Sequence, residues 1–462
     1  MNSVFGKFSH IHFVGIGGIG MSGIAEVLFN MGFRVSGSDI SRNANVIKLQ
    51  ELGIDVYLGH KGENIKGADV IVYTSAASDD NPELILAREH RKPVIKRGEM
   101  LSELMRLKFA VAVAGSHGKT TTTSMIAEIV KAAKLDPTIL IGGRLNSTNN
   151  NASFGKSNIM VAEADESDRS FLMLYPSIAV ITNIDQEHME SYKDFNDVKE
   201  CFTQFANMVP FYGCSVVCID NDNVADIIPD LTKRFITYGI KAQADMRACN
   251  IKKDGFSVEY DVQKDGEILG HINIMLPGDH IVLNSLAAVT ACLEMGIDFN
   301  VISNTLAGFS GVQRRMSVRY KDDSVIVVDD YGHHPTEIIT TLKAIREAST
   351  NSRIMVVFQP HRYSRTRDLM SDFAKCFMDA DSLFVTDIYA ASEEAIEGIN
   401  SERLINEIKG HGLKDVHYLP KWDDFFKEID ENRSEHTIIV TFGAGSITNF
   451  SFQIAEYIEK NK

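Results

Sequence analysis

The chain has 462 residues, of which 44% are hydrophobic and 24% charged, and a formal charge of -15 at pH 7. That length gives a prior of about three domains in an ordinary soluble globular protein, and the acidic balance excludes non-specific binding to nucleic acid or an anionic membrane surface. No apolar stretch reaches spanning length, the first residues lack the build of a signal peptide, and the six scattered cysteines (201, 214, 218, 249, 292 and 376) offer no paired zinc ligands, so buried reduced thiols and a cytoplasmic location are expected.

Residues 1–107 read as short apolar strands alternating with helices, the signature of a parallel sheet covered by helices. His10-Ile-His-Phe-Val14 is a strand, followed by a glycine-rich turn and a helix through Met31. A second strand, Arg34-Val-Ser-Gly-Ser38, ends at Asp39, and two more cover 55–57 and 70–73. Gly15, Gly17 and Gly20 occupy the three positions of a dinucleotide-binding turn, with Asp39 at the distance of a ribose-binding acid. Read alone, this points to NAD or FAD. A UDP-sugar also carries a pyrophosphate and a ribose and fits the same turn. The competing reading is a tight strand-to-helix turn without ligand. A helix over 99–106 leads into the next unit.

The second unit, 108–312, opens with the apolar run Phe109-Ala-Val-Ala-Val-Ala114, then Gly115-Ser-His-Gly-Lys-Thr-Thr121, then a helix over 122–134. Strand, glycine turn, Lys-Thr and helix make a triphosphate cradle: backbone N–H groups approach the phosphate, Lys119 neutralises the β- and γ-phosphates, and Thr120 holds Mg²⁺. The first glycine of the full pattern would fall at Val113, and Gly115 stands two places later, which leaves an ordinary turn as the alternative. Glu163 ends the strand 159–162 and is the best-placed acid for the metal. The neighbouring strand, 178–182, leads to Thr182-Asn-Ile-Asp-Gln-Glu-His188; His188 is either a second-metal ligand or a surface histidine. After Asp245 the runs shorten and alternate as antiparallel strands do. An apolar helix over 279–295 then carries Asp279, His280 and Asn284 as nucleotide contacts or as helix-capping polar groups.

The third unit, 313–462, again alternates strand and helix, with strands at 324–328, 353–358, 382–386 and 437–441. Ligands of open α/β sheets bind beyond the carboxyl ends of the strands. There stand Asp329-Asp-Tyr-Gly-His-His-Pro335 and His361-Arg-Tyr-Ser-Arg-Thr-Arg367, loops expected to lie side by side. The second, rich in arginine, is a carboxylate or phosphate clamp or else a solvated basic turn. Gly311-Val-Gln-Arg-Arg315 places arginines between the second and third units.

The order of these motifs resembles the Mur ligase family over nearly the whole chain. The likeness rests on Gly15-Ile-Gly-Gly-Ile-Gly-Met-Ser-Gly23, Gly115-Ser-His-Gly-Lys-Thr-Thr-Thr122, Glu163-Ala-Asp-Glu-Ser-Asp168 and Thr182-Asn-Ile-Asp185 with His188. It continues through Pro277-Gly-Asp-His280 with Asn284, Gly311-Val-Gln-Arg-Arg315, Asp329-Asp-Tyr-Gly-His-His-Pro335 and Phe358-Gln-Pro-His-Arg-Tyr-Ser-Arg365. The shortened phosphate loop is the family's own form.

The resemblance implies an α/β protein of three domains: an N-terminal Rossmann-like UDP-binding domain (1–107), a central P-loop ATPase-like domain (108–312), and a C-terminal Rossmann-like domain that binds the amino acid (313–462). It implies an ATP-dependent ligase that joins L-alanine to the lactyl carboxylate of UDP-N-acetylmuramate through an acyl phosphate, in peptidoglycan precursor synthesis. By that likeness Gly115, Ser116, His117, Gly118, Lys119, Thr120, Thr121, Asn284, Arg314, Asp329 and Tyr331 contact ATP. Thr120, Glu163 and His188 bind magnesium, expected as two ions. Gly15, Gly17, Gly18, Gly20, Asp39 and Ser75 hold the UDP-sugar, and His361, Arg362 and Arg365 orient the alanine. Lys119, His188, Arg314 and His333 are the catalytic candidates, with His333 and His188 both open as base for the alanine ammonium. Three rivals stand beside this reading: a murein peptide ligase that attaches a recycled tripeptide to the same UDP-sugar, a nicotinamide-dependent oxidoreductase built on the Gly15 turn, and a non-catalytic nucleotide switch.

Overall fold

The alternating runs between residues 10 and 96 form a five-stranded, wholly parallel sheet. Its order is Asp55–Leu58, Arg34–Asp39, His10–Val14, Val70–Tyr73 and Val94–Lys96, the last a short strand that carries no apolar run of its own. The computed structural model describes residues 5–142, 152–241, 243–391, 393–432 and 436–461. The chain divides into two units: Met1–Asn250, Tyr260–Ile272 and Leu283–Phe309 make the first, and Ile251–Glu259, Asn273–Val282 and Ser310–Lys462 the second.

In the first unit a second sheet follows, centred on Phe109–Ala114 with Ile159–Glu163 on one side and Ile178–Ile181 on the other, all parallel. Ala110 to Ala114 are fully buried, as a continuous apolar run in a sheet covered on both faces requires. Cys214–Cys218 and Phe235–Gly239 continue the sheet in parallel, and Thr138–Leu140 and Ala152–Ser153 close its other edge, the last antiparallel. Beyond Phe235–Gly239, Met246 and Arg247 pair in parallel with Tyr238 and Gly239.

The helix after the glycine loop spans Lys119–Ala132 and starts three residues before the expected 122. Its first turn is Lys-Thr-Thr-Thr-Thr, and β-branched threonines are weak helix formers. Burial overrides that preference: Thr121, Thr122 and Thr123 are buried, and the Thr123 hydroxyl donates to the Lys119 carbonyl at 2.8 Å.

The six strands of the second unit run in the order Ser317–Lys321, Val325–Asp330, Thr437–Phe442, Arg353–Phe358, Ser382–Val385 and Val416–Tyr418. The first pair is antiparallel and the rest parallel. The chain's final strand thus inserts between those carrying the Asp329 and His361 loops, which sequence reading places side by side. Apolar side chains fill both faces: Ile338, Leu342, Phe358 and Phe373 on one, Met355, Phe425, Ile439 and Phe450 on the other. The six cysteines are free thiols, and all but Cys249 are buried. Among the described residues no helix is long and apolar enough to cross a membrane.

Candidate active site

Three adjacent parallel strands of the central sheet deliver Gly115, Glu163 and Thr182 to one edge. The Gly115 loop is braced from below by the segment 182–185. Asn183 is bidentate to His117, accepting from its N–H at 2.8 Å and donating to its carbonyl at 2.9 Å. The Thr182 hydroxyl donates to the same carbonyl at 2.6 Å, the Asp185 N–H donates to Ser116 Oγ at 2.8 Å, and the His117 Nε2 lies 3.0 Å from an Asp185 carboxylate oxygen. Gly118 turns the chain into the helix at φ +81°, and a Cβ there would lie 2.5 Å from Asn284 Oδ1. Only glycine suits both the torsion and that close approach. Asn284 is therefore packed on the loop, as the sequence pattern implies.

Lys119 folds back over this loop. Its ammonium donates to the Gly115 carbonyl at 2.6 Å, to the Ser116 carbonyl at 3.1 Å and to Glu166 Oε1 at 2.7 Å. Burial works against its charge, but the Glu166 carboxylate more than offsets this and holds Lys119 above its usual range. Glu166 is a residue that sequence reading passed over among the four acids of 163–168. Its Oε2 is buried and has no hydrogen-bond partner among the described residues. Glu166, Glu187 and His188 bring ligand atoms within 4.8 Å of one another, which suits a divalent cation. Glu163 is not part of that trio; its Oε2 faces Gly142. Thr120 lies half-buried in the first turn of the helix.

At the N-terminal sheet, Asp39 ends one of three adjacent strands, and Gly15 and Ser75 follow the other two. Asp39 is buried, with one carboxylate oxygen accepting from the Gly17 N–H at 2.8 Å and the other from the Ser41 N–H at 3.0 Å. A Cβ on Gly17 would come within 2.8 Å of that first oxygen. Asn43 and Asn45 both donate to the Gly17 carbonyl, at 3.2 and 2.9 Å. The acid expected at the ribose thus shapes the glycine turn itself. Gly18 and Gly20 begin the helix that follows, and Ser75 stands exposed in the turn after its strand.

In the second unit, the loops after Val325–Asp330, Thr437–Phe442, Arg353–Phe358 and Ser382–Val385 meet at the carboxyl ends of four neighbouring strands. The guanidinium groups of Arg314 and Arg315 both lie over the Tyr331 ring, with their Cζ atoms 4.7 and 5.1 Å from its centroid. Arg314 donates to the Gly443 carbonyl at 2.6 Å. His333 packs edge-on against Tyr331 at 5.1 Å and against His361 at 5.8 Å, so the two predicted loops do meet. Burial pushes His333 down to about 3 and His361 down to about 4, leaving both rings neutral at neutral pH. Arg365 reaches back to His361 at 3.4 Å, and Arg362 is exposed. Asp329 is fully buried: Arg319 at 2.6 Å, Thr448 at 2.7 Å and Thr441 at 3.1 Å donate to its carboxylate. Its side chain is thus spent inside the fold. Sequence reading also missed Tyr389 and Glu393, which stand just beyond the strand Ser382–Val385 where the same strand-end rule would have pointed.

Three family models match this chain in succession. The Mur ligase family catalytic domain matches residues 10–109, the Mur ligase middle domain 113–292, and the Mur ligase glutamate ligase domain 314–445. A UDP-N-acetylmuramate–L-alanine ligase of Geobacter sp. (strain M21) is 50% identical over 444 residues, 96% of each chain. One from Myxococcus xanthus is 48% identical and covers 97% of this chain and 95% of its own. The crystal structure of a UDP-N-acetylmuramate–alanine ligase from Thermotoga maritima superposes with a TM-score of 0.81 at 30% identity, over 98% of this chain and all of that one. A murein peptide ligase from Psychrobacter arcticus, at 22% identity and a TM-score of 0.70, shares the fold. With three consecutive family models and a relative half identical over 96% of both chains, the chain belongs to the Mur ligase family.

Proposed function

We propose that this protein joins L-alanine to the lactyl carboxylate of UDP-N-acetylmuramate, with ATP cleaved to ADP and phosphate, as a cytoplasmic step of peptidoglycan precursor synthesis. The observation that carries the reading is the braced Gly115 loop with the Lys119 ammonium already held over it by an anion, Glu166. A phosphate would take the place that this carboxylate fills. The names of the full-length relatives support the choice of sugar and amino acid.

A carboxylate is a poor electrophile, so it is first phosphorylated, and the amine then displaces phosphate from the acyl phosphate. In this reading Lys119 and the loop N–H groups bind the phosphates, with Ser116, His117, Thr121, Asn284, Arg314 and Tyr331 as further ATP contacts. Thr120, Glu163 and His188 would hold magnesium, with Glu166 and Glu187 beside His188; two ions there would neutralise phosphate charge. The orphaned Glu166 oxygen supports that fit. Gly15, Gly17, Gly18, Gly20 and Ser75 line the UDP-sugar site, with Asp39 shaping its turn. His361, Arg362 and Arg365 orient the alanine. His333 Nδ1 lies 3.0 Å from the Tyr331 carbonyl; donation there assigns the acceptor role to Nε2, which takes a hydrogen bond from the amine.

Incubation with ATP, UDP-N-acetylmuramate and L-alanine is expected to yield the alanyl product by mass spectrometry, and chelation of magnesium to stop it. Absence of product with all three substrates and magnesium present refutes the reading. Asn183→Ala removes two hydrogen bonds from the phosphate loop, worth about 1 kcal/mol each, so the KM for ATP should rise by roughly 10-fold or more. An unchanged KM in steady-state assays would show that the brace does not matter to nucleotide binding.

A further inference from the structure

Arg362 adopts φ 70° and ψ 138°, a combination that L residues rarely occupy. Such a conformation persists only where its surroundings over-determine it. Here one segment grips it from both sides. The Arg362 N–H donates to the Tyr389 carbonyl and the Tyr389 N–H to the Pro360 carbonyl, both at 2.8 Å. The Tyr389 ring stacks on His361, with centroids 5.5 Å apart and planes 12° apart. Four residues on, Glu393 accepts from the Ser364 N–H at 3.0 Å through one oxygen and from the Ser364 hydroxyl at 2.6 Å through the other. The Arg362 guanidinium is exposed and makes no side-chain hydrogen bond among the described residues. A pinned, strained backbone that presents spare guanidinium donors is the arrangement of a preorganised anion clamp.

We infer that Glu393 is a positioning residue for the acceptor's carboxylate: through Ser364 it fixes the short turn carrying Arg362 and Arg365, while Tyr389 fixes His361. The inference rests on the proposed role of those three residues in binding the amino acid. Glu393 itself touches no substrate, and its effect is confined to the acceptor.

The test is steady-state kinetics of the full-length enzyme and its Glu393→Ala, Glu393→Gln and Ser364→Ala variants, with each substrate varied in turn. Misplacing a binding group by about 1 Å costs up to roughly 100-fold, so Glu393→Ala should raise the acceptor KM by about 10- to 100-fold, with the KM values for ATP and UDP-N-acetylmuramate unmoved. Glu393→Gln keeps one acceptor oxygen and should recover part of the loss, and Ser364→Ala should lose part. An unchanged acceptor KM in Glu393→Ala, or a rise shared by all three substrates, overturns the inference. Should Glu393→Ala not fold, an unchanged acceptor KM in both milder variants overturns it equally. A wild-type enzyme inactive with L-alanine refutes the alanine reading instead, and the same comparison then runs on the acceptor that does support turnover.

Discussion

Lys119→Ala is expected to lower the turnover number by roughly 10³-fold or more, the cost of removing a preorganised charge from the proposed phosphoryl-transfer site. The structure adds a second consequence. Glu166 is buried, with its side chain 4% exposed, and Lys119 is its only ion-pair partner among the described residues. Deleting the ammonium strands that carboxylate, and breaking a buried pair by removing one partner typically costs about 3–5 kcal/mol. The single variant should therefore be both inactive and less stable. The two effects separate in the double variant Lys119→Ala/Glu166→Gln, which removes the stranded charge: its unfolding midpoint should return toward that of the wild type while its activity stays lost. A double variant that regains turnover along with stability would show that Lys119 serves the fold and not the phosphate.

The second large effect belongs to Asp329. Family likeness places it at ATP, yet its carboxylate is closed off from solvent and saturated by Arg319, Thr441 and Thr448. Arg319 is itself mostly buried against Phe452, with its Cζ 4.3 Å from the ring centroid, and its Nε has no hydrogen-bond partner among the described residues. Asp329→Ala should cost about 3–5 kcal/mol in denaturant unfolding, since it leaves a buried guanidinium without its counter-charge. Asp329→Asn retains an acceptor for one donor and should cost less. A nucleotide-binding role alone predicts a different outcome: a raised KM for ATP with the unfolding midpoint unmoved.

Much of this was legible in the sequence because strands in covered parallel sheets are continuous apolar runs. Phe109–Ala114, Ile159–Glu163 and Arg353–Phe358 stand within a residue of where their runs place them. The short strands were not: Val94–Lys96 and Val416–Tyr418 have three residues each, and Ser317–Lys321 is an antiparallel edge strand of mixed polarity. The threonine-rich start of the helix after the glycine loop reads as non-helical because only tertiary burial makes it a helix. At the sites, residue type marked Lys119 and the arginines of 362–365 as candidates, and left His188 open between a metal ligand and a surface histidine. It gave no signal for Glu166 over its neighbouring acids, since that choice depends on which carboxylate turns toward Lys119. Asn183, Tyr389 and Glu393 act through backbone groups of other loops, and such partners appear only when the strand order is known. The Gly15 turn shows the converse. Its spacing suggested a redox dinucleotide, and its acid proved to be engaged with the turn's own N–H.

The central claim is the identity of the acceptor, and one assay tests it most directly. Phosphate release from ATP in the presence of UDP-N-acetylmuramate and magnesium is followed with free L-alanine and, in parallel, with the tripeptide L-Ala-D-Glu-diaminopimelate. Release is expected with L-alanine, with glycine used roughly 10- to 200-fold less well for want of one methyl group, and with the tripeptide unused. Turnover with the tripeptide and none with free L-alanine would contradict the account.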